Sequence, residues 1–200
     1  MTAPRWLLIT VVVAVVVAGA VAVPYIEAWT RPTGKIVVLA PDEKPVLGSP
    51  MLMPGIDRPD VVAADKAGLA DDEPVIGVVS NGKPRAYRVA AFIGVTRHVV
   101  NDVVAGRPVT VTYCDKNDCA RAFTGDKAGE PLEVALGGLA GDMLLRGPDG
   151  NFFWQPTGRL ADPERGDVQA FDLMPITRTT WQEWREAHPT TDVYVGQPGR

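Results

Sequence analysis

The run "VTVTYCDKNDCARAF", Val109–Phe123, decides the fold. Val109, Val111 and Tyr113 alternate with Thr110 and Thr112, the period of two expected of a β-strand with one buried face. The polar segment "DKND" that follows is turn-forming, and "RAFTG" supplies a further short strand. Upstream, "HVVNDVVAGRP" is predicted to form the first arm of a hairpin turning near Ala105-Gly106. With no bulge in the register, that hairpin returns the Cys114 end toward His98.

Working outward, "PVIGVVSNGKPRAYRV" (Pro74 to Val89) is two apolar runs around Asn81-Gly82, a strong signal for a tight hairpin. "AAFIGVTR" predicts a helical turn or two. "PLEVAL", "MLLRG" and "NFFWQ" add short strands punctuated by glycines, a spacing that favours antiparallel connections over βαβ crossovers. In "TRTTWQEWREAHP", Thr179 or Thr180 can cap a short helix that carries Trp181 and Trp184 and ends at Pro189. "TDVYVG" is expected to close the sheet. The fold class is therefore α+β, a mainly antiparallel β domain with a few short helices, preceded by one N-terminal transmembrane helix.

That leading segment is "WLLITVVVAVVVAGAVAV", Trp6 to Val23, which carries no charge and approaches the roughly 20 residues needed to cross a bilayer. Arg5 before it favours a cytoplasmic N-terminus, although Arg31 and Lys35 beyond it weaken the bias. The Ala20/Ala22 pair also fits a signal-peptidase site. Two readings follow: a single-pass anchor at the cell membrane with the domain outside, or a secreted or periplasmic domain after cleavage. Residues 1–26 are read as anchor or signal, 27–56 as a Pro/Gly-rich tether and wrapping segment, and 57–200 as one globular domain. Met51, Leu52, Met53 and Ile56 give the tether apolar residues with which to dock.

Two hundred residues with 46% hydrophobic and 22% charged residues suit one packed domain of this kind. The net charge of -4, with Lys and Arg scattered among acids, excludes the basic stripe of a nucleic-acid binder. "GGLAG" lacks the strand-loop-helix setting of a nucleotide site. A small-molecule or protein partner is left open.

Chemistry centres on the only two cysteines, Cys114 and Cys119. Their four-residue spacer is neither a thioredoxin-type nor a haem-attachment motif. In an exported domain they could form a structural disulfide. Alternatively they could be a reactive pair, with Lys116 and Arg121 favouring a thiolate. With His98, and His188 as the other histidine, they could also ligate a transition metal such as zinc or copper. A catalytic version takes Cys114 as nucleophile, His98 as base and Asn101 or Asp102 as the group orienting it. Tyr113, Trp154 and Gln155 are expected to wall the pocket. The rival class is a non-catalytic envelope module in which the cysteines form a permanent staple.

Four ordered blocks carry a resemblance: "DDEPVIGVVSNGKPRAYRV", "HVVNDVVAGRPVTVTYC", "FFWQPTGR" and "TTWQEWREAHPTTDV". Together, from about Asp57 to Val195, the chain resembles the uncharacterised bacterial and archaeal family termed domain of unknown function 3179. The family commonly reads His-Glu-Ile-Val-Asn-Asp where this chain has the shorter His98-Val99-Val100-Asn101-Asp102. Many members carry Tyr-Cys-Pro-Leu-Cys, whereas here Asn117 stands where the second cysteine would fall and Cys119 lies beyond it. A typical Tyr-Pro becomes Tyr87-Arg88. The resemblance implies the fold and export, and it supplies no established reaction.

Overall fold

A computed structural model describes residues 52–94 and 96–196. The membrane-type segment at 6–23, Met51 and the run "KIVVLA" lie outside the described residues. Among the described residues no helix is long and apolar enough to cross a membrane.

Among the described residues, fourteen strands form three sheets. Sheet I has the order β1 (Met53–Pro54), β9 (Ala135–Ala140), β10 (Asp142–Arg146), β11 (Phe152–Trp154). Sheet II runs β12 (Asp172–Met174), β8 (Cys119–Thr124), β7 (Arg107–Cys114), β6 (Val99–Val104), β2 (Ile56–Asp57). Sheet III runs β13 (Thr177–Thr180), β4 (Pro74–Ser80), β5 (Lys83–Arg88), β14 (Asp192–Tyr194), β3 (Val62–Ala63). All pairings are antiparallel except β2 with β6 and β14 with β5. The segment "TDVYVG" thus does not close a sheet; its strand is inserted between β5 and β3.

Both predicted hairpins form, for a shared local reason. Asn81 and Gly82 (φ 47° and 76°) and Ala105 and Gly106 (φ 50° and 78°) are all left-handed, the conformation that matches a two-residue turn to the twist of its strands. The Asn81 amide donates to the Ala105 carbonyl at 3.0 Å, tying the two tips together.

Alternation along the strands sets the layers. Ile76, Val78 and Tyr87 of sheet III meet Val100, Val109, Val111 and Tyr113 of sheet II in one core. The other face of sheet II, with Val99, Cys114 and Phe123, packs on Leu136, Met143, Leu145 and Phe153 of sheet I. Helix α1 (Trp181–Ala187) covers the outer face of sheet III with Trp181 and Trp184 against Val75, Ala86 and Val193. Thr180 caps it by accepting from the Glu183 amide, and His188 at its other end stacks on Trp184 with ring centres 4.0 Å apart. Gly77 makes the close approach possible, because a Cβ there would lie 2.1 Å from the Trp184 ring.

Sheet II is therefore the middle layer, and the expectation that its central strand buries one face is corrected. Every residue of β7 from Pro108 to Cys114 is buried. The alternation was real, but it separates an aliphatic face from a hydrogen-bonded threonine face rather than core from solvent. The predicted helical turn after β5 is a short 3-10 segment, Val89–Phe92.

Candidate functional site around the cysteine hairpin

Strands β7 and β8 form a hairpin across Asp115–Asp118, and its last registered pair is Cys114 with Cys119. Cys114 is 3% exposed and Cys119 is half-buried. The Tyr113 amide donates to the His98 carbonyl on the β6 side. Backbone groups alternate sides along a strand, so those of Cys114 point toward β8, and Cys114–Cys119 is a hydrogen-bonded pair of the kind with Cα atoms about 5.5 Å apart. Both thiols are free in this structure, so the expected disulfide is not formed.

Val99 is registered opposite Thr112, and His98 precedes it outside the strand with its carbonyl accepting from the Tyr113 amide, whereas Cys114 faces sheet I. The His98 Nδ1 lies 3.0 Å from the Tyr113 carbonyl oxygen.

Asn101 shares the Cys114 face but sits farther along the strand, opposite Thr110, with its amide fully engaged. Its Nδ2 donates to Asp57 Oδ1 and to the Val134 carbonyl, both at 2.8 Å. Its Oδ1 accepts from Thr110 Oγ1 at 2.8 Å and from the Val134 amide at 3.2 Å. The side chain thereby imitates a strand partner for Val134. Gly55 passes directly over it, where a Cβ would lie 2.4 Å from Nδ2. Asn101 is a clamp for the incoming chain. Of that segment, Met53 and Ile56 pack into the cores and Leu52 is exposed.

The metal alternative gathers no ligand set: among the described residues no group of three His, Cys, Asp or Glu side chains is placed to hold an ion. The thiol environment also departs from expectation. Burial pushes the Cys119 thiol up, and Asp142 and Cys114 reinforce this against the opposing charges of Arg121 and Arg178. Arg121 is committed to carbonyls, donating through Nε to Pro156 at 2.9 Å and through Nη1 to Ala120 at 2.7 Å.

Of the three expected walls, Gln155 alone touches the cysteine hairpin on its sulfur-bearing face. Fully buried, it donates through Nε2 to the Cys119 carbonyl at 2.9 Å and to Thr112 Oγ1 at 3.2 Å. Among the described residues its Oε1 has no hydrogen-bond partner. Trp154 packs with Ala140, Leu144 and Ala161. Tyr113 lies on the opposite face, where its hydroxyl donates to Asp118 Oδ1 at 2.8 Å. A cleft of about 650 Å³ opens elsewhere, bordered by Thr124, Lys127, Leu132, Phe171 and Asp172, and includes none of the expected residues.

The polar centre that the sequence reading missed lies between sheets II and III. Arg85 donates through Nη1 to both oxygens of Asp102 at 2.9 and 2.7 Å, and through Nε and Nη2 to Asp192 at 2.7 and 3.0 Å. Tyr87 donates its hydroxyl to Asp102 at 2.7 Å. Desolvation works against the Arg85 charge, but the two carboxylates outweigh it and raise its pKa. Burial opposes the charge on Asp192 too, and the Arg85 hydrogen bonds still hold its carboxyl below the usual range. Burial together with Asp102 raises Tyr87 well above an ordinary phenol. The signal was legible: in "KPRAYR", Arg85 lies two residues from a core tyrosine and so points inward.

Comparison with curated proteins found no match, and neither did comparison with solved structures. A family model does match, over residues 52–199, nearly the whole described domain and all four sequence blocks. The chain belongs to the family described as Protein of unknown function (DUF3179).

Proposed function

We propose that this protein is a membrane-tethered, extracytoplasmic module without catalytic chemistry of its own, in which the cysteine pair serves the β-hairpin rather than a substrate. The observation that carries this reading is the burial of Cys114 in the core between sheets I and II, with the His98 Nδ1 within 3.0 Å of the Tyr113 carbonyl oxygen. A thiol nucleophile needs a base within hydrogen-bond reach or a depressed pKa. Cys119 has the reverse, a raised pKa, and the nearby arginine is spent on backbone carbonyls. Tethering rests on the uncharged run Trp6 to Val23, and an oxidising exterior suits a paired-cysteine hairpin.

The test is the reactivity of the fully reduced chain toward an aromatic disulfide reagent, followed across pH. Cys119 is expected to react more slowly than a free thiol at neutral pH and to accelerate only as the solution becomes alkaline. Cys114 should not be attacked by the reagent directly until the fold opens, and His98→Ala should leave both rates unchanged. Rapid modification at neutral pH that His98→Ala slows would overturn the reading.

A further inference from the structure

The segment between the two cysteines joins all three sheets. Asp118 accepts from Arg178 of β13 in sheet III, through Nη2 at 2.7 Å and Nη1 at 3.1 Å, and from Tyr113 of sheet II. Its carbonyl takes a further bond from Arg178 at 2.9 Å. One residue earlier, the Asn117 amide donates to Asp142 of β10 in sheet I at 2.9 Å. The guanidinium of Arg178 also lies 5.9 Å from the centre of the Tyr113 ring. These contacts are largely exposed, and exposed ion pairs are weak and screened by salt. At the base of this junction Cys114 and Cys119 stand in register across the hairpin.

We propose that Cys114 and Cys119 are a modification site, a dithiol that an external disulfide oxidises to a cross-strand bond, locking the tip that ties the three sheets together. The inference rests on the non-catalytic reading above and gives the pair a role as acceptor of oxidation. A hydrogen-bonded antiparallel pair has Cα atoms about 5.5 Å apart, inside the 4.4–6.8 Å that a disulfide spans. The Cβ atoms of such a pair lie about 5.5 Å apart, beyond the roughly 4 Å of a disulfide, so closure draws the two strand ends together as the side chains rotate.

Exposure sets the order of events. The half-buried Cys119 loses its proton and its thiolate attacks one sulfur of the external disulfide, forming a mixed disulfide and releasing one thiolate, which takes up a proton. The buried Cys114 then loses its proton and attacks the Cys119 sulfur, releasing the second thiolate, which is protonated in turn. Two electrons pass from the cysteine pair to the external disulfide, which leaves as two thiols.

The experiment equilibrates the reduced full chain, in detergent, with oxidised glutathione, and follows intact mass and amide exchange of residues 115–118. The expected product has lost two hydrogens and carries no glutathione, and exchange in the loop slows by about tenfold or more, since closing the ring removes backbone freedom. Cys114→Ser, or Cys114→Ala should serine unfold the chain, is expected to hold glutathione permanently on Cys119. A persistent adduct on the wild-type chain, no reaction at all, or a disulfide that leaves loop exchange unchanged would each overturn the proposal. Should the disulfide form but His98→Ala slow it, the latch stands and the non-catalytic reading falls.

Discussion

The two faces of sheet II solve the same problem, polar groups held inside a protein, by different means. Toward sheet III it uses charge: Asp102 is buried against Arg85 and Tyr87, with Asp192 completing the network. Toward sheet I it uses neutral groups: Thr110, Thr112, Asn101 and Gln155 satisfy one another and nearby backbone. Losing one partner of a buried ion pair strands a charge, whereas losing one neutral partner strands only a dipole. The charged face should be brittle and the neutral face forgiving.

The largest test of that contrast is Arg85→Ala, which leaves Asp102 and Asp192 without their shared cation. A loss of about 3–5 kcal/mol in unfolding free energy is expected, measured by urea denaturation. A variant within 1 kcal/mol of wild type would dissolve the distinction.

Next comes Asn101→Ala on the neutral face. It unpairs the Val134 backbone and the Thr110 hydroxyl and releases Asp57, with an expected cost of about 2–3 kcal/mol. The loss should be accompanied by new protease sensitivity near Gly55. Unchanged sensitivity there would show that the amide does not hold the incoming chain.

Acid sharpens the comparison because the charged face holds the carboxylate whose pKa is lowered by its partner. The folded-state pKa of Asp192 lies below its unfolded value, so its stabilisation is complete above the unfolded value, about 3.9, and is lost as pH falls through the folded one. Tyr87 is displaced the opposite way: its contribution is complete below about pH 10 and is lost as pH rises through its elevated folded value. Asp192→Asn should flatten the acid limb of a thermal-melting profile and leave the alkaline limb in place. An unchanged acid limb would assign it to other carboxylates.

The smallest effect is expected for Gln155→Met. Two hydrogen bonds disappear, but so does a buried oxygen with no partner, and the net change should stay within about 1 kcal/mol. A loss above 3 kcal/mol would mean that Oε1 is satisfied in solution, for example by a buried water.

These effects explain how far the sequence could be read. Asn81-Gly82 and Ala105-Gly106 announced their hairpins because turn chemistry is local. Thr180 and the two tryptophans announced α1 for the same reason. The second buried face of β7 was hidden because threonine serves equally on a solvated face and in a hydrogen-bonded interior. The nearness of His98 to the cysteine strand was legible from the hairpin, whereas the face a side chain takes depends on counting residues along the strand. Arg85 could have been found by extending that same count to β5. Its partners Asp102 and Asp192 come from two different strands, and no local pattern links them.

The short strands before Ile76 have a consequence for where the domain begins. Met53–Pro54 lies along β9 and Ile56–Asp57 along β6, so four residues cover the open borders of two different sheets. A fragment started at residue 57, where composition alone would draw the boundary, bares the β9 edge at Ala135 and Leu136 and the β6 edge at Val100. Such borders recruit strands from neighbouring chains. The segment at 53–57 thus serves as protection against aggregation, and the shortest well-behaved fragment starts ahead of Met53.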